Sequence, residues 1–197
     1  KEFKLPKSFH RISPQAIPIQ VGEFLLGRGF NPIKLVERKE LYFSGHIGEY
    51  CFRLIIPIYI RKKMVSFIAR DTTNTANLRY KMCPNTKSSV NKEEILYGYD
   101  EVSPGNPIVL VEGPLDQWKL GNGSLATLGI NWTQEQVQLL KTLRPSKVII
   151  LFDSESSARQ QAIRLAKTIW FADSEVKELE NYKDPGELTL AESEKLM

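Results

Sequence analysis

The second half of the chain alternates short apolar runs with helix-like segments, and this alternation constrains the fold more than any other feature. It starts after Ser103–Pro107, which is rich in proline and glycine and is the best candidate for a domain boundary. Strands are predicted at Ile108–Val111, Ser124–Thr127, Lys147–Phe152 and Glu175–Leu179. Helices are predicted at Pro114–Leu120, Thr133–Leu143 and Ser156–Phe171, with a terminal helix from Pro185. Strands and helices in this order predict a parallel sheet with right-handed crossovers, an α/β architecture.

The first half has a different pattern, in which helices precede a run of strands. Two helices are predicted at Ile17–Gly29 and from Pro32, followed by strands at Cys51–Ile60, Met64–Arg70 and Leu78–Met82 and a helix at Lys92–Asp100. The charged turn between the first two strands makes them a hairpin. We therefore predict an arm or linker over residues 1–15, a basic α+β subdomain over 16–104 and an α/β domain over 105–197.

Composition excludes several classes of protein. The longest apolar runs are far shorter than the roughly 20 residues that cross a bilayer, so we expect no membrane partner. Cys51 and Cys83 stand alone, without a Cys-x-x-Cys pair or clustered histidines, which makes a zinc site within these residues unfavourable. Two isolated cysteines also fit a reducing compartment.

Charge is distributed unevenly along the chain. Residues 1–100 contain 17 Lys or Arg and 9 Asp or Glu, whereas residues 101–197 contain 10 and 14. This distribution suits a protein that holds a polyanionic backbone with one part and metal cations with the other. Two solvated surfaces of opposite sign are the alternative explanation.

Acidic residues follow three of the predicted strands. The three clusters are Glu112 with Asp116, Asp153 with Glu155, and Asp184 with Glu187. Because the carboxyl ends of parallel strands meet at one edge of a sheet, these acids would face a common crevice. Carboxylates placed in this way predict a site for Mg²⁺ or Mn²⁺ that acts on phosphates. For Asp116 and Glu155, which lie in first helical turns, stabilisation of a helix N-terminus is the alternative role.

Three segments of the second half resemble the TOPRIM domain. They are Val111–Asp116, Ser124–Gly129 and Ile149–Glu155. The TOPRIM glutamate falls on Glu112, and the Asp-x-Asp pair falls on Asp153 and Glu155, where the second position departs from the family pattern. The resemblance implies a Rossmann-like parallel sheet flanked by helices, with Glu112, Asp153 and Glu155 as catalytic residues. It also implies metal ligation by these three residues together with Asp116 and Asp184.

The first half resembles the basic subdomain of bacterial and phage DnaG-type primases. The matching segments are Arg53–Ile58, Ser66–Asp71, Leu78–Lys81 and Glu94–Gly98, and Lys183–Pro185 matches a later element. The resemblance implies that basic and aromatic side chains bind nucleotide and template, namely Arg53, Arg70, Arg79, Tyr80, Lys81 and Lys92. We therefore expect an RNA polymerase core without the zinc ribbon that such primases carry, cut from a longer polypeptide.

The expected function is synthesis of short RNA primers on single-stranded DNA by metal-dependent nucleotidyl transfer. The expected partners are the DNA template, nucleoside triphosphates, the RNA primer and a replicative helicase on the same or a separate chain. The expected location is the cytoplasm of a bacterium or of a phage-infected cell. Two alternatives stay open: a metal-dependent TOPRIM nuclease, and a non-catalytic single-stranded DNA binder whose TOPRIM site has degenerated.

Overall fold

A computed structural model describes residues 2–178 and 185–187 of the 197-residue chain. The chain divides into two compact units. The first comprises the residues up to Ile58 together with Lys63–Val90, and the second comprises Tyr59–Lys62 and the chain from Asn91. This division lies earlier than the predicted boundary after residue 104. The reason is that Leu96 and Val102 are buried in the core of the second unit.

The first unit is built on a five-stranded sheet in the order β1-β2-β3-β4-β5. Its strands are β1 (His10–Arg11), β2 (Tyr42–Phe43), β3 (Arg53–Ile60), β4 (Lys63–Asp71) and β5 (Tyr80–Met82). Two helices precede the long strands, α1 (Ile19–Gly27) and α2 (Pro32–Arg38), and Asn31 caps α2 by accepting the Lys34 N–H. The predicted hairpin, third strand and both helices are confirmed, whereas β1 and β2 were not predicted because two residues carry no periodicity.

The N-terminal residues take part in the core of the first unit. Phe9 is buried and makes edge contacts with the rings of Tyr50 and Phe67, at centroid distances of 5.6 and 5.2 Å. Ile12 is also buried, and its N–H donates to the Leu41 carbonyl. The segment predicted as an arm is therefore anchored by its apolar side chains as well as by β1.

The turn between β3 and β4 is tighter than the charged sequence predicted. Arg61 and Lys62 form a two-residue connection, and both have positive φ, 53° and 62°. This backbone matches the type I′ turn that the twist of a hairpin favours. In the second unit, to which both residues belong, their N–H groups each donate to the Asp100 carboxylate at 2.7 Å.

The second unit contains a four-stranded sheet in the order β7-β6-β8-β9, and all of its strand pairs are parallel. The strands are β6 (Ile108–Val111), β7 (Ser124–Ala126), β8 (Lys147–Ile150) and β9 (Asp173–Val176). The helices are α3 (Pro114–Leu120), α4 (Gln134–Thr142) and α5 (Ser156–Thr168). The predicted mixed α/β fold with a parallel sheet flanked by helices is confirmed.

Burial explains why these runs became parallel strands. All four residues of β6 are buried, which fits a central strand covered on both faces.

Helix α4 begins with a capping box, in which Thr133 accepts the Gln136 N–H and the Gln136 side chain accepts the Thr133 N–H. The buried Gln136 amide also donates to the carbonyls of Ile95 and Thr127, which fixes the chain that follows β7.

The prediction of a helix at Lys92–Asp100 is wrong. Two 3-10 turns, Lys92–Glu94 and Tyr99–Glu101, flank an extended segment in which Tyr97 pairs with Ala126. Four consecutive residues, 95–98, are buried, which an amphipathic surface helix could not achieve.

The C-terminal predictions are only partly covered by the described residues. Strand β9 starts and ends earlier than the predicted Glu175–Leu179, and Pro185–Glu187 forms a 3-10 turn. The rest of the predicted terminal helix lies outside the described residues. Within those residues, no helix has both the length and the apolar character needed to cross a membrane.

Candidate functional site

The topology of the second sheet creates one preferred place for a ligand. From β6 the chain moves to one side to form β7 and then crosses to the other side to form β8. The connections therefore diverge between β6 and β8, and open α/β sheets bind ligands beyond the carboxyl ends of the strands at such a switch point. Glu112 follows β6 directly, and Asp153 lies three residues beyond the end of β8.

A hydrogen bond joins the two acids at this switch point. The Asp153 N–H donates to Glu112 Oε1 at 2.9 Å, and both residues are half-buried. The ladder between their strands continues up to this contact, because the Leu151 N–H donates to the Leu110 carbonyl at 2.8 Å. The Glu112 carbonyl also accepts the Gly129 N–H at 3.0 Å. Backbone contacts on both sides therefore hold Glu112 at the end of β6.

Asp116 has a structural role at the start of α3. Its Oδ2 accepts the N–H of the N-cap residue Gly113 at 2.9 Å, and its position in the first turn complements the helix dipole. Metal ligation and helix capping were both expected for Asp116, and this contact accounts for the capping role. Metal ligation by Asp116 stays a prediction.

The other two predicted metal ligands, Glu155 and Asp184, are not shown in contact with the Glu112–Asp153 pair. Glu155 is the N-cap residue of α5, where its side chain makes no capping bond and is exposed. Asp184 lies outside the described residues. Within residues 2–178 and 185–187, no three His, Cys, Asp or Glu side chains are grouped closely enough to hold a metal ion. The structure thus brings together Glu112 and Asp153 and leaves Glu155 at the rim.

Two carboxylates at a sheet edge still fit a magnesium ion. Mg²⁺ prefers hard oxygen donors, keeps several of its waters, and is commonly bound through one or two carboxylates plus substrate phosphates. Glu112 and Asp153 supply two such groups in a half-buried setting. The donor set of this pair therefore suits Mg²⁺ or Mn²⁺ and would suit zinc poorly, because it contains neither thiolate nor imidazole.

In the first unit, Arg70 is the most unusual of the predicted binding residues. It is 3% exposed, and its Nε is buried without a hydrogen-bond partner. Its guanidinium lies against two rings, 5.4 Å from the centroid of Phe24 and 4.8 Å from that of Tyr80. Burial lowers the pKa of Arg70, and the nearby charges of Arg28 and Arg79 lower it further. A cation held in this way attracts anions.

Arg53 is also buried, but its guanidinium forms hydrogen bonds that link neighbouring segments of the first unit. Its guanidinium donates to three backbone carbonyls, those of Leu78 at 2.9 Å, Ala69 at 3.3 Å and Arg79 at 3.4 Å. The residue is 8% exposed. Through these bonds Arg53 stabilises the loop that precedes β5. Its predicted role in binding nucleotide stays a prediction.

The other predicted binding residues vary in exposure and location. Arg79 is exposed, Tyr80 forms one wall beside Arg70, and Lys81 pairs with Glu49 at 2.8 Å. Lys92 is exposed at the start of a 3-10 turn in the second unit. Arg70, Arg79 and Tyr80 are therefore the three that the first unit brings together.

Sequence reasoning missed Phe24 as a part of this cluster. Its position in an amphipathic helix predicted only a core residue, and Phe24 is indeed buried. Its ring nevertheless forms one wall for Arg70 and also lies 5.9 Å from the Arg28 guanidinium. No signal in the sequence links a helix residue to a strand residue 46 positions later.

The fold and the site together define a class: a parallel α/β domain with an acid pair at its switch point, preceded by a basic α+β unit. Two proteins of known structure that share this fold are primases. The Aquifex aeolicus primase, in a structure of its zinc-binding and RNA polymerase domains, matches with a TM-score of 0.68 and 22% identity, covering 91% of this chain and 54% of that one. The primase fragment of the bacteriophage T7 primase-helicase matches with a TM-score of 0.65 and 15% identity, covering 95% and 77%.

The sequence comparison points the same way. The chain is 27% identical to a DNA primase of Chlamydia pneumoniae over 144 residues, which cover 66% of this chain and 24% of that protein. The chain thus spans about a quarter of the length of this relative. No family model matches. The predicted resemblance to primases is confirmed by the fold and by this similarity.

Proposed function

We propose that the chain is the catalytic core of a DNA primase, which synthesises short RNA primers on single-stranded DNA from nucleoside triphosphates. The observation that carries the proposal is the Glu112–Asp153 pair, joined at 2.9 Å at the switch point of a sheet whose fold matches primases. The pair falls on the TOPRIM positions that the sequence predicted. The basic character of the first 100 residues suits a polyanionic template.

In this proposal the acid pair holds Mg²⁺ or Mn²⁺ through Glu112 and Asp153. When bound, the metal would act as a Lewis acid and stabilise the negative charge that develops on the transferred phosphate. The alternative role for Glu112 is that of a general base that would accept the proton of the primer 3′-hydroxyl. Glu155, at the rim, would act only with substrate present.

The first unit would bind phosphates through Arg70 and Arg79. Arginine presents several N–H donors in a fixed plane, which suits phosphate oxygens. Tyr80 and Phe24 fix the Arg70 guanidinium from two sides, so little further ordering is required on binding. These contacts would be independent of base sequence, as backbone contacts generally are.

We extend the proposal to partners and location by analogy with the relatives. A chain in a structure of the bacteriophage T7 lagging-strand DNA polymerase with primase domains, an RNA/DNA hybrid and dTTP matches with a TM-score of 0.55 and 15% identity, covering 81% of this chain and 80% of that one. The T7 primase fragment comes from a primase-helicase protein. We extend these features to this chain: a template–primer hybrid, nucleoside triphosphates and a replicative helicase as partners, in the cytoplasm of a bacterium or a phage-infected cell.

The test of the catalytic assignment is the substitution Glu112→Gln. The glutamine oxygen can still accept the Asp153 N–H, so the fold should persist while the charge is lost. Primer synthesis on a single-stranded template with Mg²⁺ or Mn²⁺ should fall by about a hundredfold or more, the usual effect of removing a group that stabilises the transition state. The matched control is Asp173→Asn, which makes the same chemical change at the start of β9 and should leave synthesis unchanged.

Two outcomes would contradict the assignment. Synthesis retained in Glu112→Gln would show that this acid is not the central one. Metal-dependent cleavage of DNA by the wild-type protein, without incorporation of nucleotides, would favour the nuclease instead.

The exposed position of Glu155, together with the pair rather than triad of acids among the described residues, favours a second candidate: a single-stranded DNA binder without metal chemistry. Calorimetric titration with Mn²⁺ separates the two. Millimolar or tighter binding that disappears in Glu112→Gln supports the primase. No binding of Mn²⁺, together with salt-sensitive affinity for DNA, supports the binder.

A further inference from the structure

Trp170 is exposed to a degree that is unusual for tryptophan. Its exposed fraction is 73%, whereas Trp118 is 3% exposed and donates its indole N–H to the Tyr97 hydroxyl. The Lys141 ammonium lies 4.3 Å from the centroid of the Trp170 ring, over one face. A large aromatic ring is thus held on the surface by a cation and keeps most of its area open to solvent.

Trp170 lies at the opposite edge of the sheet from the acid pair. It is located between the end of α5 and Asp173, the first residue of β9, and Asp173 is aligned with Lys147, the first residue of β8. Glu112 instead follows the end of β6. Strands of four residues at about 3.3 Å per residue separate the two edges by roughly 13 Å.

Besides Lys141, three cations lie in or just after the helices α4 and α5. Lys141 and Arg144 are in and just after the last turn of α4, and Arg164 and Lys167 occupy the last two turns of α5. Within the part of the chain that the structure describes, none of these four side chains forms an ion pair. The nearby acid Glu175 is engaged by Lys147 at 2.9 Å. We call these four cations and Trp170 the Trp170 surface.

We propose that the Trp170 surface binds single-stranded nucleic acid. One base would stack on the open face of the indole, and the flanking phosphates would contact the cations of α4 and α5. An exposed aromatic ring among cations is the combination that sequence-independent single-strand binding uses. An acidic protein segment would match the charge but would leave the indole face unused. The choice of ligand rests on the proposed function, although the surface itself does not depend on the acid pair.

Tryptophan fluorescence provides a direct test, because base stacking quenches indole emission. The protein is titrated with an oligo(dT) without metal, while binding is followed separately by anisotropy of a labelled strand. The difference between wild type and Trp170→Phe isolates the emission of Trp170 from that of Trp118 and Trp132. We expect this difference signal to fall on binding. Trp170→Ala should weaken the affinity by roughly five- to a hundredfold, the range for losing one stacking aromatic.

Two further variants define the surface. Lys141→Ala with Lys167→Ala should lower the salt dependence of binding by roughly two phosphate contacts. Ile163→Ala, a truncation of an exposed apolar residue earlier in α5, should change neither signal.

The results that overturn this proposal differ from those that overturn the proposed function. Trp170 emission that stays unchanged while anisotropy reports saturated binding would show that nucleic acid binds elsewhere. Equal quenching by poly-glutamate would identify an acidic protein as the ligand class and would also overturn it. In both cases primer synthesis, and its loss in Glu112→Gln, would still support the primase.

Discussion

Arg70 is buried at a cost in stability that its proposed role in binding would explain. Its contacts with Phe24 and Tyr80 are each worth about 0.5–2 kcal/mol. Removing an ion from water costs several kcal/mol, and no carboxylate among the described residues forms an ion pair with Arg70. The burial cost therefore exceeds the gain, which agrees with the lowered pKa of the guanidinium. The proposed role of Arg70 in binding would explain why such a cost is retained.

This balance predicts that Arg70→Met will not destabilise the protein. Methionine fills a similar space between the two rings, so the free energy of unfolding should rise by about 1 kcal/mol. Affinity for an oligonucleotide should fall, and its salt dependence should decrease by about one phosphate contact. Denaturant unfolding and anisotropy measure the two effects. The matched control is Arg79→Met at an exposed position, which should weaken binding without any change in stability. A destabilised Arg70→Met would refute the argument.

Asp71, the next residue, should make stability dependent on pH. Burial alone would raise its pKa, but hydrogen bonds from the Thr73 hydroxyl and from the N–H groups of Thr73 and Ala76, with the charge of Arg53, lower it below its usual range. Because the folded pKa is depressed, the stabilisation is present above the unfolded pKa of about 3.9 and is lost as the pH falls through the folded value.

The corresponding variant is Asp71→Asn. At pH 6 it should be less stable than the wild type by about 1–2 kcal/mol, since the amide cannot accept at both positions. The difference should shrink as the pH falls from 5 to about 2. Chemical denaturation at several pH values measures it. A difference that stays constant with pH would show that the charge of Asp71 is not responsible.

At the scale of elements, the β3–β4 hairpin has a turn that its own sequence disfavours. Arg61 and Lys62 both have positive φ, which costs roughly 1 kcal/mol or more for a residue with a Cβ. Lys62→Gly removes this strain and keeps the N–H that donates to Asp100. We expect the free energy of unfolding to rise by about 0.5 kcal/mol after the entropic cost of glycine. The neighbouring change Lys63→Gly lies within β4 and should instead lower it. Thermal unfolding of both variants gives the comparison, and equal shifts would contradict the strain.

The sequence predicted elements well where their periodicity was long. The helices α4 and α5 were identified because apolar residues recur at a clear helical period, and the strands β3, β4, β6 and β8 because they are apolar runs bounded by polar or turn residues. The segment at 92–100 was assigned wrongly because its buried run Ile95–Tyr97 pairs with Ala126, a contact that no local pattern reveals. The two-residue strands β1 and β2 depend wholly on their neighbours in the sheet.

For the molecule as a whole, the order of the strands was enough to predict the acid pair. The surroundings of individual side chains could not be predicted in this way. Glu112 and Asp153 could be placed together because parallel strands end at one edge. The burial of Arg53 and the enclosure of Arg70 by Phe24 arise from tertiary packing, so the sequence could only assign both as basic residues of one class. The exposure of Trp170 likewise depends on tertiary packing and has no signature in the sequence.

The acids and the exposed Arg79 belong to different units. We therefore predict that metal binding and polyanion binding can each be lost without the other. Glu112→Gln should abolish Mn²⁺ binding, because the pair loses one of its two charges. It should leave metal-free affinity for an oligonucleotide unchanged or slightly higher, since a negative charge that repels phosphate is removed. Arg79→Ala should reduce oligonucleotide affinity and leave Mn²⁺ binding unchanged.

Calorimetry with Mn²⁺ and anisotropy with a labelled oligonucleotide, both at fixed ionic strength, measure the four quantities. Salt must be held constant because counterion release alone changes the affinity for a polyanion. A tenfold loss of metal-free oligonucleotide affinity in Glu112→Gln would show that the acid contributes to the template site. Loss of Mn²⁺ binding in Arg79→Ala would show that metal affinity depends on the first unit. Either result would replace two separable functions with one shared site.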